Sequence, residues 1–341
     1  MKKTKDDRIK TVMSGGGHVV ILGAGASIAS TYRNPELSQK KLPSMDNFVE
    51  IVNLEDIVEK IDKKLYSSNF ENLYTNLHND NPNSKEIIEI ERRIQSYFGD
   101  MKLPNEPTIY DYLVLSLRSK DIIATFNWDP FLYQALVRNN KVGDLPYIVF
   151  LHGNVAIGYS NIDKRSGASG EYSPYTSNYF EPTKLLYPIE NKDYNSDEFI
   201  SNEWRKLKHF ISAKSTKRLT IFGYGAPKSD IEAVQLLNDA WGTSESRNME
   251  QVEIIDIRPE EEIKETWKGF IHSHHYDYVN DYFNCSLAIN PRRTSEAYFQ
   301  QITPLSPSDM LSENNPVPNN FKTLKDLQDW HQNLIQAENL K

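Results

Sequence analysis

Four short segments carry residue types that can hold a phosphate group or move a proton. Glycines allow a strand-to-helix turn in which backbone N–H groups approach a phosphate. His152 has an imidazole whose ordinary pKa, about 6.5, suits a general base near neutral pH. Asn127 and Asp129 are short polar side chains set between aromatic residues. The segments are Gly23-Ala24-Gly25-Ala26-Ser27, Thr125-Phe126-Asn127-Trp128-Asp129, His152-Gly153 and Gly223-Tyr224-Gly225.

Each segment also fits an ordinary structural role. The first and the fourth could be plain strand-to-helix turns, and Asp129 could cap a helix that opens at Pro130. A lone histidine is more often structural than catalytic. Asp256 could accept hydrogen bonds from a ribose, or it could cap a helix or pair with Arg258. The residue types alone leave these alternatives open.

The first segment departs from two common nucleotide-binding patterns. Ile28 stands where the dehydrogenase fingerprint has its third glycine, so a conventional dehydrogenase is the least favoured enzyme. No glycine-lysine-serine or glycine-lysine-threonine run follows, which excludes a nucleoside triphosphatase loop.

The segments lie at the ends of apolar runs that are typical of buried parallel strands. Helical patterns separate most of these runs, which predicts an α/β fold: a Rossmann-like parallel sheet with helices on both faces. Ligands bind such sheets at the carboxyl ends of the strands, where the four segments would meet. The predicted strands are 18–22, 121–126, 147–151, 218–222 and 252–257.

The predicted organisation is one large domain at 15–285, between an N-terminal extension at 1–14 and a C-terminal linker and helix at 286–341. A helical insertion is expected at about 43–118, with helices at 46–66, 85–98 and 108–117. Residues 156–194 should be mostly loop, and could form a lid. A helix at 321–337 carries an apolar stripe, which serves either an interaction partner or its own domain. The stripe is Leu324, Leu327, Trp330 and Leu334.

Composition narrows the partners and the compartment. The 341 residues include 39 Lys and Arg against 47 Asp and Glu, so the net charge of −8 disfavours general nucleic-acid binding. Cys285 is the single cysteine, which excludes an intrachain disulfide and a four-cysteine zinc site. No apolar run reaches the roughly 18 residues of a membrane span, and residues 1–13 lack the apolar core of a signal peptide. The expected compartment is the cytoplasm.

The four segments occur in the order in which sirtuins carry the patterns G-A-G-x-S, T-Q-N-x-D, H-G and G-T-S. Over roughly residues 15–285, the chain resembles in particular the sirtuin-like domains of bacterial antiphage defence systems. The resemblance implies that His152 is the catalytic base and that Asn127 and Asp129 lie at the nicotinamide ribose and carboxamide. The residues implied to bind NAD⁺ are Gly23, Ala24, Gly25, Ser27, Thr125, Gly223, Gly225 and Asp256.

Departures from the sirtuin patterns disfavour protein deacylation and leave NAD⁺ cleavage intact. Sirtuin deacylases carry a four-cysteine zinc module, which a chain with Cys285 alone cannot build, so no zinc or other metal is expected. Phe126 stands where deacylases have glutamine, and Tyr224 lies in Gly-Tyr-Gly in place of G-T-S. The G-I-P-D-F-R segment of sirtuins is also missing.

The resemblance implies an NAD⁺ hydrolase that releases nicotinamide and ADP-ribose, acting in antiphage immunity by NAD⁺ depletion. Such an enzyme would be regulated by homo-oligomerisation or by a separate sensor or activator protein. The alternatives are a non-catalytic NAD or ADP-ribose sensor and an ADP-ribosyltransferase.

A histidine-rich patch, His272, His274 and His275, could bind a metal, but a solvated loop is favoured because no acidic or cysteine partner is suitably spaced.

Overall fold

The computed structural model describes residues 17–32, 40–189, 192–214, 216–227, 230–247, 250–272, 275–302 and 314–339. The predicted N-terminal extension at 1–14, part of the predicted C-terminal linker and His274 lie outside these ranges.

The strands of the described residues form two sheets. They are β1 (Gly17–Leu22), β2 (Ile122–Thr125), β3 (Tyr147–Phe150), β4 (Ile157–Ser160), β5 (Arg165–Ala168), β6 (Glu181–Pro182), β7 (Thr216–Phe222), β8 (Gln251–Ile255) and β9 (Tyr276–Val279). The larger sheet has the order β3-β2-β1-β7-β8-β9, and all its neighbours are parallel. Counted along the chain within this sheet, the order is 3-2-1-4-5-6, as in a Rossmann-like fold. The predicted fold class is confirmed.

The sixth strand of this sheet, β9, was not expected from the sequence. It is an edge strand that pairs with β8 alone, and its residues Tyr-Asp-Tyr-Val are exposed or half-buried. An edge strand need not be apolar on both sides, so it leaves no continuous hydrophobic run in the sequence.

The central strand β1 contributes to two hydrophobic cores, one on each face of the sheet. Val20 and Leu22 point into a core shared with the helices between β1 and β2, whereas Val19 and Ile21 point into the other. Alternate residues of a strand face opposite sides, so a strand buried on both faces is apolar throughout. The run of apolar residues in β1 follows from this double burial.

Helices cover both faces. They are α1 (Ala24–Tyr32), α2 (Phe48–Ile51), α3 (Glu55–Val58), α4 (Phe70–Asp80), α5 (Lys85–Gly99), α6 (Ile109–Leu115), α7 (Phe131–Asn139), α8 (Glu198–Ser212), α9 (Ile231–Trp241), α10 (Glu260–Trp267), α11 (Ser286–Ile289), α12 (Thr294–Ile302) and α13 (Leu324–Asn339). A 3₁₀ turn spans Tyr282–Asn284. No helix in the described ranges has the length and apolarity that crossing a membrane requires.

The predicted helix at 46–66 is wrong, because two short helices, α2 and α3, occupy residues 48–51 and 55–58 in place of one continuous helix. Asn53 lies between them with φ of 59°, a left-handed conformation that a continuous α-helix excludes. Helix α4 was not expected either; Asn69 begins it by accepting hydrogen bonds from the backbone N–H groups of Glu71 and Asn72.

Residues 156–194, expected to be mostly loop, include the small antiparallel sheet β5-β4-β6. Its strands are two to four residues long and too polar to produce a strand pattern. A Cβ atom on Gly167 would lie 2.4 Å from Phe180 Cε2, so this glycine lets the Phe180 ring pack on the sheet.

Helix α13 packs on its own chain. Leu327 is fully buried, and the side-chain amide of Gln328 donates to Asn139 Oδ1 at 2.9 Å. Near the other end, Arg292 donates to Glu338 at 2.6 Å. The apolar side of the helix therefore serves this chain's own core, and its use by an interaction partner stays a prediction.

Candidate functional site

A cleft of about 290 Å³ lies at the carboxyl ends of the central strands. The strand order reverses between β1 and β7, which is where doubly wound sheets bind their ligands. The volume is close to the lower end of the range for small-molecule sites, about 300–1,000 Å³. The predicted residues that line the cleft are Gly23, Ala24, Ser27, Asn127, Asp129, His152, Gly223 and Gly225.

Two glycine turns interlock at the base of this cleft. The backbone N–H of Gly25, after β1, donates to the carbonyl of Gly223, after β7, at 2.9 Å. A Cβ atom on Gly23 would lie 2.4 Å from Tyr224 Cα, and one on Gly223 would lie 2.4 Å from the nitrogen of Ala26. Gly223 also has a φ of 58°. The glycines therefore let the two turns approach each other, and Gly25 lies in the contact between them.

Asn127 joins the first and second segments through hydrogen bonds. Its side-chain amide donates to the carbonyl of Gly23 at 2.8 Å and to Ser27 Oγ at 2.9 Å. Ser27 Oγ donates to Asp129 Oδ2 at 2.7 Å and lies 2.6 Å from the Tyr110 hydroxyl. All four polar side chains are buried. A network of this kind holds its members rigidly, because an unpaired polar group would be costly here.

Asp129 forms an Asx turn just before α7 and lines the cleft. Its Oδ1 accepts a hydrogen bond from the backbone N–H of Phe131 at 3.2 Å, but α7 begins at Phe131 with Pro130 at the N-cap, so the capping interpretation placed the helix start one residue too early. Burial raises the pKa of Asp129 to about 6, although hydrogen bonds from Ser27 and from the Phe131 backbone favour the ionised form. At pH 7 the carboxylate is therefore mostly charged and lies beside the ligand space.

His152 belongs to a second group of buried polar side chains. Its Nε2 lies 3.4 Å from the Tyr194 hydroxyl and 3.8 Å from Asp230 Oδ1. The same Asp230 oxygen is 2.5 Å from Lys192 Nζ. The Tyr224 hydroxyl donates to the other carboxylate oxygen, Asp230 Oδ2, at 2.8 Å.

The environment keeps this histidine neutral at physiological pH. Burial lowers the pKa of His152 to about 4; the charge of Asp230 opposes this shift, and that of Lys192 adds to it. Burial also disfavours the ionised form of Asp230, but His152, Lys192 and Tyr224 outweigh it and hold that pKa below its ordinary value. The site thus holds an uncharged imidazole near an ionised carboxylate.

Aromatic rings form the apolar part of the cleft. Phe126 stacks on Tyr224 with ring centroids 4.2 Å apart, and it meets the His152 ring edge-on at 4.8 Å. Phe48 and Trp128 meet edge-on at 6.4 Å, and both line the cleft. Aromatic walls of this kind can pack against a planar ring of a ligand.

Three predicted ligand-binding residues do not line the cleft. Thr125 lies beneath it, where Oγ1 accepts a hydrogen bond from the backbone N–H of Asn127 at 3.0 Å, and Gly25 lies in the glycine contact. Asp256 accepts hydrogen bonds from the Arg258 guanidinium at 2.9 and 3.1 Å, which is the ion pair that the sequence left open as an alternative. A role of Asp256 in ribose binding stays a prediction.

Sequence reasoning missed four polar residues of the site: Tyr110, Lys192, Tyr194 and Asp230. Asp230 follows the Gly-Tyr-Gly turn and stands just before α9, so its position beside a predicted helix start was the one available signal. Lys192 and Tyr194 come from the polar insertion, and Tyr110 comes from an apolar helix. Nothing in their local sequence distinguishes them from surface or core residues.

The described part of the chain contains no group of three or more His, Cys, Asp or Glu residues arranged to hold a metal ion. In the histidine-rich patch, His272 Nε2 lies 3.0 Å from the Gly242 carbonyl, and the His275 ring meets Tyr298 edge-on. Cys285 is fully buried, and burial raises the pKa of its thiol. A buried thiol of this kind is a poor nucleophile.

Among solved structures, the chain is similar to sirtuins. A structure concerned with sirtuin substrate affinity has a TM-score of 0.40 at 13% identity, covering 82% of this chain and 95% of the other. A complex of a Sir2 homologue with NAD has a TM-score of 0.39 at 10% identity, covering 81% of this chain and 89% of the other. Sir2 bound to an acetylated peptide has a TM-score of 0.38 at 12% identity, covering 88% of this chain and 98% of the other. No protein-family model and no curated protein matches the chain.

Proposed function

We propose that this chain is an NAD⁺ glycohydrolase, which cleaves the bond between nicotinamide and ribose with water. One observation carries the proposal: a neutral, buried His152 and the amide of Asn127 line the same cleft as two glycine turns. The cleft lies at the switch point of a sheet with the order 3-2-1-4-5-6. The order of the four motifs, which resembles that of sirtuins, points to the same substrate.

The reaction needs little acid catalysis, because the leaving nicotinamide is a cationic pyridinium. The oxygen of water bonds to C1′ of the ribose as the C1′–N bond breaks, and the electron pair of that bond leaves with neutral nicotinamide. The proton lost by water passes to His152 and then to solvent. Nicotinamide, ADP-ribose and one proton are the products, and the transition state is like an oxocarbenium ion, as in glycoside hydrolysis.

Each part of the site has a role in this scheme. The glycine turns and the N-terminus of α1 bind the pyrophosphate, because glycines allow a close approach to the backbone and a helix N-terminus favours negative charge. The carboxylate of Asp129 stabilises positive charge on the ribose, and Asn127 orients the ribose or the attacking water. His152 is the general base that takes a proton from water or from a ribose hydroxyl, a role typically worth about 10²–10⁴ in rate.

The biological part of the proposal follows from the chemistry and from the motif resemblance. An enzyme that destroys NAD⁺ is harmful to its own cell, so it must be held inactive until it is needed. The proposed role is therefore that of a cytoplasmic antiphage effector that acts by NAD⁺ depletion. Homo-oligomerisation or a separate sensor or activator protein would release its activity.

The first test is NAD⁺ turnover by the purified chain, with its genomic neighbours added as candidate activators. His152→Ala and Asn127→Ala should each lower nicotinamide release by about 10²–10⁴-fold, because general-base assistance or positioning is lost. Chromatography of nicotinamide and ADP-ribose measures the rate. His209→Ala is the matched control, since His209 is an exposed histidine on α8.

Three results would overturn the hydrolase. Wild-type rates of nicotinamide release in folded His152→Ala and Asn127→Ala would show that these two residues do not carry the reaction. Label from NAD⁺ found on a macromolecule, with no free ADP-ribose, would indicate an ADP-ribosyltransferase. Binding of NAD⁺ without nicotinamide release under every activating condition would indicate a sensor module.

A further inference from the structure

Asp230 occupies the position of a helix-capping residue, yet its side chain caps nothing. It immediately precedes α9, and no hydrogen bond joins its carboxylate to the first turn of that helix. Aspartate at this position ordinarily accepts such a bond. Here the carboxylate is directed towards His152, Lys192 and Tyr224. Helix capping, the usual structural reason for an aspartate at this position, therefore does not account for the Asp230 side chain.

The groups around His152 come from three different parts of the chain. Lys192 and Tyr194 lie in the segment before α8, Tyr224 lies in the turn after β7, and Asp230 lies at the start of α9. These are the ionisable groups of the described residues that surround the imidazole, and each is at most 5% exposed. A buried charge is tolerated when it is paired, and Lys192 pairs with Asp230 at 2.5 Å.

The contacts of Nε2 also indicate which ring nitrogen would accept the proton in the proposed mechanism. Nε2 of His152 faces Tyr194 and Asp230, so Nδ1 is the nitrogen left for a water molecule or a ribose hydroxyl. The Nε2–Asp230 separation of 3.8 Å exceeds a hydrogen bond. Catalytic hydrogen bonds are often this long before substrate binds and tighten in the complex.

We propose that Asp230 is a positioning residue for His152: its carboxylate, held by Lys192 and Tyr224, orients the imidazole and stabilises the imidazolium that forms when His152 accepts a proton. This inference rests on the proposed function, in which His152 is the general base. Lys192 sets the strength of the effect, because it shares the carboxylate with the imidazole.

The charges of this cluster predict opposite effects for two substitutions. With Asp230 and Lys192 both charged, protonation of His152 leaves one net positive charge. Asp230→Asn would leave two, so it should lower the His152 pKa below its wild-type value of about 4. Lys192→Met would leave none, so it should raise the pKa towards the ordinary value of about 6.5.

Titration of His152 by NMR tests the coupling without any catalysis. The His152→Gln spectrum assigns its signal among the 8 histidines. We expect an upward shift of the pKa in Lys192→Met and a downward shift in Asp230→Asn. Lys184→Met and Asp239→Asn, at exposed positions, are the matched controls and should leave the titration unchanged.

Steady-state kinetics then test the positioning role. Asp230→Asn should lower kcat for NAD⁺ cleavage by about 10²–10⁴-fold with little change in KM, and Asp230→Glu should recover part of the rate. Loss of rate in Asp230→Glu equal to that in Asp230→Asn, or an unshifted His152 titration in folded Asp230→Asn and Lys192→Met, would overturn the inference. If Asp230→Asn does not fold, the Lys192→Met titration and the Asp230→Glu kinetics decide.

The two proposals fail in different ways. If the wild-type protein releases no nicotinamide under any activating condition, the proposed function fails, whatever the titrations show. If the wild-type protein cleaves NAD⁺ and Asp230→Asn does so equally well, the hydrolase stands and the positioning role of Asp230 is rejected.

Discussion

Two buried ionisable residues, His152 and Asp129, have pKa values shifted in opposite directions by the same physical cause. Burial disfavours the charged form of each group, so the imidazole loses its proton more readily and the carboxyl holds its proton more tightly. At pH 7 the site therefore contains a neutral base and a mostly ionised carboxylate. A group that ionises near physiological pH inside a cleft is typical of a functional site.

Asp129 should reduce the stability of the fold at neutral pH. Its pKa rises from 3.8 to about 6 on folding, which means that the folded state favours the protonated carboxyl. The stability that this preference adds is fully present below about pH 4 and is lost as the pH rises through 6. Asp129→Asn, which cannot ionise, should raise the free energy of unfolding at pH 7 by up to about 3 kcal/mol relative to the wild type. Nicotinamide release should fall in the same variant.

Urea unfolding of both proteins from pH 4 to pH 7 measures this difference. Asp121, whose pKa burial also raises to about 6, is present in both proteins and therefore cancels in the comparison. A stability difference that stays constant across this pH range would show that Asp129 does not titrate as inferred.

At the scale of elements, the site depends on how closely two strand-to-helix turns approach each other. The turns after β1 and β7 touch through glycine backbone, with Gly25 donating to Gly223. Adjacent parallel strands bring these turns together at the switch point, although some 200 residues separate them in sequence. The phosphate-binding surface of the proposed function needs both turns at this separation.

Gly223→Ala should destabilise the fold and weaken ligand binding at the same time. The new methyl group would lie 2.4 Å from the Ala26 nitrogen, at a residue with φ of 58°, and left-handed backbone alone costs about 1–2 kcal/mol without glycine. We expect a loss of at least about 2 kcal/mol in the free energy of unfolding, measured by denaturant titration.

Gly99→Ala is the matched control for this change. A Cβ atom at Gly99 would meet no neighbouring atom within 4 Å, and Gly99 ends α5, where alanine is favoured by up to about 1 kcal/mol. Equal destabilisation by the two substitutions would contradict the glycine contact as its cause.

At the scale of the whole molecule, elements that lie far apart in the chain contribute residues to the two hydrophobic cores. The core between the sheet and the helices that follow β1 also includes Leu327 of α13. Arg292, which is 2% exposed, donates to Glu338 near the end of that helix. Helix α13 is thus part of the fold in the described structure.

Leu327→Ala should lower the free energy of unfolding by about 2–5 kcal/mol, because it removes buried methyl groups and leaves a cavity. Thermal or urea unfolding measures the loss. Leu334→Ala, on the same helix at a half-buried position, is the control and should cost clearly less. If Leu327→Ala left stability unchanged, α13 would not be anchored in the core.

The sequence alone predicted the architecture and most of the cleft, for identifiable reasons. Strands buried on both faces must be apolar throughout, so β1, β2 and β7 were visible as runs that end in glycine or polar residues. Parallel strands place such ends at one edge of the sheet, so the sequence pattern by itself groups Gly23, Asn127, His152 and Gly223. Elements without this constraint, such as β9 and the small β5-β4-β6 sheet, were missed.

Local sequence determined which residue types stand at the strand ends, and with them the residues that the proposed function uses. Only the tertiary structure decided which groups touch. It placed Lys192 and Asp230 at His152, joined Tyr110 and Ser27 to Asn127, and paired Asp256 with Arg258. The reason is physical: burial and charge at a site are sums over neighbours contributed by distant segments, and these sums set the pKa values on which the chemistry depends.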